Sequence, residues 1–297
     1  MRLLSPRLMA LLGLALAPIA GASADEPGKA KIVVIAGTPS HAAGDHEFNA
    51  GGKLLVACLA KIPGVEPVFV PGGWPRDESV FDGAKSLVFF MDGGGGHPMI
   101  QGDHLATLDR LMKQGVGLAC LHYAVEVPKD KGGPEFLDWL GGYYESGFST
   151  NPHWVARVES LPDHPITRGV KPFAVKDEWY YNLRFRPEMK GITPIVVAKP
   201  DDATRQGASA SPRGPYAHIV ADKGREEVLA WAVERPDGGR GFGFTGGHAH
   251  KNWGDDSFRK LVLNAILWSA KLDVPPGGTP STVTPDELAK NLDPKGK

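Results

Sequence analysis

At 297 residues with 42% hydrophobic side chains, the chain is long enough for one large domain or two small ones and apolar enough for a full core. Its 33 Lys and Arg against 34 Asp and Glu leave a formal charge of −1, which argues against nucleic acid or an anionic membrane surface as a partner. Two cysteines exclude a disulfide framework, and 38 glycines with 26 prolines call for long, shaped loops.

Residues 1–24 divide into a basic start (MRLLSPR), an apolar run and the small-residue site Ala22-Ser23-Ala24. That is the three-part pattern of a signal peptide cut after Ala24. The apolar run is shorter than the ~20 residues of a spanning helix. The expectation is a soluble protein exported to the periplasm or secreted.

From residue 31 the chain alternates strands and helices. Strands are expected at 31–36 (KIVVIA), 65–70, 86–91 (SLVFFM) and 116–121, with helices at 47–62 and 101–113. Near-continuous apolar strands separated by helices predict a parallel sheet buried on both faces, the doubly wound α/β class. Further strands are expected at 154–159, 194–198, 228–234 and 241–244. A helix over 256–270 puts Phe258, Leu261, Val262, Ala265 and Ile266 on one face. The domain so defined spans 25–272. Residues 273–297 read as a Pro/Gly-rich linker and a short helix opened by the capping box Thr284-Pro285-Asp286-Glu287, a peripheral packing element.

Ligands of open parallel sheets bind beyond the carboxyl ends of the strands. Past the first strand lie His41, Asp45, His46 and Glu47. Past the third lie Asp92, Gly93–Gly96 and His97; past the fourth, His122, Tyr123 and Glu126; past the late strand GFGFT, His248, His250 and Trp253. Six histidines therefore converge on one edge. His41-x4-His46-Glu47 can supply metal ligands or an acid–base pair, although Glu47 also suits a helix start. Gly93–Gly96 offers a nest of backbone N–H groups or simply a turn, and it lacks the lysine of a phosphate loop. Asp177-Glu178-Trp179-Tyr180-Tyr181 suits a grip on a sugar ring, or an ordinary mixed strand. Trp74, Trp154 and Trp253 are stacking platforms or core residues.

A nucleophile elbow is a strained turn with small residues two before and two after its centre. Around Cys120 those flanks are Leu118 and His122; around His122 they are Cys120 and Ala124, both small. The apex is therefore His122, with Cys120 buried beneath it. A thiol nucleophile also needs a base. Glutamine amidotransferases of this architecture supply it from a downstream His-x-Glu, which this sequence lacks.

GTPSHAAGDHEF, MDGGGGHP, LACLHYA, DEWYYNLRF and the closing GRGFGFTGGHAHKNWGDDSFRKLVLNAILWSA together resemble the ThuA-like (trehalose-utilisation) family, of the class I glutamine amidotransferase-like fold, over residues 31 to 272. In that family a histidine typically stands in place of the amidotransferase cysteine, here His122, and a Gly-His near the last strand corresponds to Gly247-His248. The sequence departs by placing a cysteine before the elbow histidine and by a longer polar segment at 201–227. The resemblance implies carbohydrate catabolism on oxidised (3-keto) glycosides, with room for a divalent metal at His41, His46, His122 and His248 and no nucleotide cofactor. In such chemistry His122 or His46 would remove the acidified C2 proton and Glu178 or His248 would protonate the leaving oxygen. The Gly93–Gly96 amides or a cation would stabilise the enolate. His41, Asp92, Gly94, Gly95, His97, Tyr123, Asp177, Tyr180 and Trp253 would bind the sugar. The alternative is a noncatalytic carbohydrate-binding protein.

Overall fold

The computed structural model describes residues 28–207 and 214–295; the signal peptide expected at 1–24 lies outside them. The chain runs β1 (Ala30–Ala36), α1 (Phe48–Leu59), β2 (Val65–Val70), β3 (Ala84–Phe90), α2 (His104–Lys113), β4 (Gly117–Leu121), α3 (Gly133–Trp139), β5 (Gly142–Tyr143), β6 (His153–Val158) and β7 (Phe173–Glu178). It continues through β8 (Arg184–Phe185), β9 (Ile192–Ala198), α4 (Asp202–Arg205), α5 (Ala217–Ala221), β10 (Glu227–Glu234), β11 (Arg240–Phe244), α6 (Asp256–Ser269) and α7 (Pro285–Leu288).

Seven strands form one sheet in the order β2-β1-β3-β4-β11-β10-β9. β1, β2, β3, β4 and β11 pair in parallel, and β10 alone runs against its neighbours. Alternate residues of each strand serve opposite cores. Ile32, Val34, Val88, Phe90, Ala119 and Leu121 pack under α1 and α6, whereas Val33, Ile35, Leu87, Phe89, Leu118 and Cys120 pack under α2 and α3. Burial on both faces is why these strands are continuous apolar runs. The GFGF of β11 obeys the same alternation. Phe242 and Phe244 fill one core, while on the other face a Cβ at Gly243 would stand 2.1 Å from the Trp231 ring.

The expected doubly wound, mostly parallel α/β fold is the one observed, with its extra strands in the second half. β9 and β10 extend the main sheet. β6 and β7 form a separate hairpin with alternating burial, its inner side chains Trp154, Ala156, Val175 and Phe173 resting on the α6 face. The segments 133–139, 142–143 and 184–185 carried no periodic signal and were not anticipated.

The carboxyl ends of β1, β3, β4 and β11 are adjacent, so their loops share one edge of the sheet. The tail after Leu272 returns to that edge. α7 begins with the expected capping box, Glu287 N–H donating to Thr284 Oγ1 and Thr284 N–H to Glu287 Oε2.

Candidate functional site

His122 opens a 3-10 turn directly after β4, at φ +54°. A non-glycine residue there is strained, as an elbow apex should be, and the small Cys120 and Ala124 on either side are fully buried. Burial pushes the Cys120 thiol well above its usual pKa, so it stays protonated.

Three side chains converge with His122. Its Nε2 lies 3.0 Å from Nε2 of His46 and 3.5 Å from Oε2 of Glu178, and Nδ1 of His248 lies 2.9 Å from the same His46 nitrogen and 3.2 Å from Glu178 Oε2. Backbone structure holds them there. His46 N–H donates to His248 O and His250 N–H to Gly44 O, which zips the loop after β1 to the loop after β11. Asp177 accepts N–H bonds from Gly247 (2.7 Å) and Ala249 (3.0 Å), which ties the end of β7 to the same loop and brings Glu178 beside His248.

The tautomers follow from the partners. A carbonyl oxygen only accepts, so His122 Nδ1 must donate to Thr245 O at 2.9 Å. Burial tends to raise the Asp92 carboxyl, but its bonds to His46 and Ser40 outweigh that and hold it below the usual range. As a carboxylate, Asp92 accepts from His46 Nδ1 at 2.8 Å. Burial first, then neighbouring imidazoles, push His122 well below its ordinary pKa; burial likewise lowers His46 against the pull of Asp92. Both rings are therefore neutral, and each turns a lone pair on Nε2 toward the other at 3.0 Å. His248 differs: burial depresses it, but the hydrogen bond and charge of Glu178 prevail, so its pKa is raised.

Two facing lone pairs repel unless proton donors or a cation satisfy them; the donors at hand are His248 Nδ1, 2.9 Å from His46 Nε2, and the Tyr180 hydroxyl, 3.3 Å from His122 Nε2, and a metal ion is the alternative. The surrounding chemistry suits a metal ion. The donors are three imidazoles and a carboxylate, and their closest separations of 2.9 to 3.5 Å bracket the roughly 3.4 Å between ligands of a tetrahedral ion at ~2.1 Å. Each of the two neutral rings gives its other N–H to an oxygen acceptor, the arrangement that orients metal-binding histidines. His41, Asp92 and His46 form a second donor group, but the His41 ring lies tilted against that of His46, their centres 3.6 Å apart, and Asp92 is spent on the His46 Nδ1 proton. Asp92 and His41 therefore surround the first group without joining it.

The other expected residues separate. Tyr180 is buried with its hydroxyl 3.3 Å from His122 Nε2, and Tyr123 stands between His46 and Tyr180, their ring centres 5.9 and 6.5 Å from its own. His41 is exposed at the mouth over less than half of its side chain, its Nδ1 3.0 Å from Ser40 Oγ. Three do not face the site. His97 is buried, accepting from Met99 N–H and donating to Ala124 O, so it pins the glycine loop to the elbow. Asp177 is buried in its amide bonds. Trp253 is buried against Phe90 and Phe258. Nor is Gly93–Gly96 an open nest, because the Gly94 N–H donates to Glu126 O at 2.9 Å. Gly95 is exposed. Trp154 is also core, and Trp74 stacks on His104 away from the edge.

Unanticipated contributors are Thr245, which acts through a carbonyl that leaves no mark in a sequence, and the tail. Glu47 is buried, and its carboxylate accepts N–H bonds from Gly44 (2.9 Å) and Asp293 (2.6 Å) and pairs with Lys295 Nζ at 3.3 Å. Lys295 Nζ also donates to the carbonyls of Ala42 and Asp45. The tail expected to be peripheral packing thus straps the loop that carries His46. With α7 it walls a cavity of about 580 Å³ lined by Asp45, His153, His248, Leu288 and Leu292. A larger cavity of about 680 Å³ lies at the amino-terminal edge of the sheet by Ala30, Arg110 and Leu272, remote from the four donors.

A family model described as ThuA, trehalose utilisation, matches residues 77–269, a span that includes His122, Glu178 and His248. Among solved structures, a ThuA-like protein from Bacteroides uniformis aligns over 85% of this chain and 96% of its own, at a TM-score of 0.57 and 15% identity. A ThuA-like protein from Parabacteroides merdae aligns over 87% and 94%, at a TM-score of 0.55 and 19% identity. These likenesses show the fold. PurLQS from Thermotoga maritima aligns over 82% and 98%, at a TM-score of 0.43 and 12% identity. No curated protein matches the sequence.

Proposed function

The chain belongs to the ThuA family, whose role lies in carbohydrate utilisation, and from that premise we propose that it is an exported enzyme that cleaves oxidised (3-keto) glycosides at a centre holding one divalent metal ion. The observation that carries this reading is the pair of neutral imidazoles, His46 and His122, with Nε2 lone pairs opposed at 3.0 Å. His46 Nε2, His122 Nε2, His248 Nδ1 and Glu178 Oε2 would hold the ion. When bound, it supplies a Lewis acid for a sugar carbonyl and the charge that develops there.

The protein's own groups do the remaining work. Asp92 and Thr245 O keep the two Nδ1 protons in place, so both rings always present Nε2 inward. This changes the roles expected from the sequence: His46, His122, His248 and Glu178 are ligands in this reading, and proton transfer falls to their neighbours. His41 is the base for C2–H, being exposed at the mouth with Ser40 at its Nδ1. Tyr180 and Tyr123 supply a hydroxyl-bearing aromatic wall for the ring. The 3-keto group acidifies the C2–H, so that a neutral imidazole placed against it can act as the general base. The leader-like residues 1–24 would take the enzyme out of the cytoplasm.

Turnover of 3-keto-glucosides with and without chelator tests the proposal. Activity that is lost with the metal and restored by it is expected. No turnover of any keto-glycoside at any metal loading would overturn the enzymatic reading, and sugar binding weakened by His122→Ala would then mark a binding protein instead.

A further inference from the structure

If four polar residues of the edge hold a metal, the departing oxygen needs an acid from elsewhere; Asp45 lies 3.5 Å from His248 Nε2, which leaves Glu126 as the carboxyl without a cationic partner. We infer that Glu126 is the proton donor to the leaving glycosidic oxygen, a role that rests on the keto-glycoside reading above. Glu126 closes the turn that His122 opens, its N–H bonded to Tyr123 O and its carbonyl to the Gly94 N–H. Its backbone is thus locked to both the elbow and the glycine loop. The side chain is half-buried, and no hydrogen-bond donor or cation among the described residues pairs with it. It lines the gap over Gly94: a Cβ there would lie 3.5 Å from Glu126 Oε1 and 3.4 Å from Tyr123 Oη. The glycine, at φ +68°, keeps that space clear for a ligand beside two oxygen groups.

The groups around Glu126 are Tyr123 on its own turn, Glu178 at the end of β7, Tyr180 just beyond it and Tyr216 ahead of α5, none of them a cation. Burial, then the Glu178 charge, push the Glu126 carboxyl up to about 8 with no ion bound, and burial, the larger cause, is untouched when a cation neutralises Glu178. The balance is that of an elimination. The base takes the C2 proton, that electron pair becomes the C1–C2 double bond, the C1–O bond breaks, and the leaving oxygen takes the Glu126 proton. Glu126 is left as a carboxylate and regains a proton from solvent; nothing is oxidised or reduced.

The test compares wild type, Glu126→Gln and Glu126→Asp on 3-keto-glucosides with alkyl or 4-nitrophenyl aglycones, with metal content measured on each preparation. Loss of general acid catalysis costs roughly 10²–10⁴-fold. Glu126→Gln is expected to lose that much on alkyl substrates and less than about tenfold on the nitrophenyl substrate, whose leaving group needs no proton. Metal content should be unchanged, the wild-type rate should fall as pH rises and the acid ionises, and Glu126→Asp should recover part of the alkyl activity. Infrared difference spectra of wild type against Glu126→Gln should show a carboxylic C=O band at pH 6 that is gone at pH 9. Equal losses on both aglycones, no loss at all, or a carboxylate already formed at pH 6 would overturn this assignment alone. A wild type inactive on every keto-glycoside would overturn the substrate reading and this assignment together.

Discussion

Two of the four donors stand on left-handed backbone, His46 at φ +46° and His122 at φ +54°. His122 sits at φ +54° because the chain must leave β4 and turn its ring toward His46 in one step. An L-residue in that region costs about 1–2 kcal/mol that glycine does not. His122→Gly and His122→Ala both lose the ring and its bond to Thr245, so their difference isolates the strain. In urea denaturation of metal-free protein, the glycine variant should be more stable by about 1 kcal/mol; equal stability would mean the elbow is relaxed. Two residues earlier, Cys120 is buried with its thiol held protonated. Cys120→Ser should keep full activity and metal content while costing roughly 1–3 kcal/mol, since it buries a hydroxyl in an apolar core. Lost activity at normal metal content would instead implicate the thiol.

At the level of elements, the loop carrying His41 and His46 is fixed from two sides: by the backbone zipper to the loop after β11, and by the tail. Lys295 is therefore a positioning residue. Removing a direct partner of a ligating histidine typically costs 10–100-fold in metal affinity, and Lys295 acts one contact further out, through Glu47 and the carbonyls of Ala42 and Asp45. Lys295→Met should weaken metal binding about tenfold and shift the spectrum of the cobalt-substituted protein. Lys295→Arg should restore both and melt close to wild type, whereas Lys295→Met, which leaves the buried Glu47 carboxylate without its cation, should melt lower. Unchanged affinity in Lys295→Met would leave the tail as packing alone.

The sequence made the convergence of His46, His122 and His248 legible because strand order and the rule about carboxyl ends place their loops together without any contact being known. Glu178 was legible by composition. His97, Asp177 and Trp253 were not, because a buried histidine that bridges two backbone groups and a buried carboxylate that satisfies amides use the same residue types as a binding site. Only their partners distinguish them: for Asp177 these are Gly247 and Ala249, seventy and more positions away. The tail's role depends on Lys295 meeting Glu47, a pairing no periodicity encodes.

Across the whole molecule, the doubly wound sheet gathers loops from β1, β3, β4 and β11, and the β6–β7 hairpin delivers Glu178 from above. A metal ion that joins these segments binds the folded state and not the dispersed chain, so it must stabilise the fold. At one hundred times its Kd that linkage amounts to about 2.7 kcal/mol, and at roughly 2–4 °C per kcal/mol for a domain of this size chelation should lower the melting temperature by about 5–10 °C.

The most direct measurement is the metal stoichiometry of the purified, dialysed protein by elemental analysis, for wild type beside folded His46→Ala and His122→Ala variants. One divalent ion per chain is predicted for wild type, with near-complete loss in both variants. A folded wild type that retains none, even after incubation with excess zinc or manganese, would show that the opposed imidazoles share a proton instead and would contradict the account.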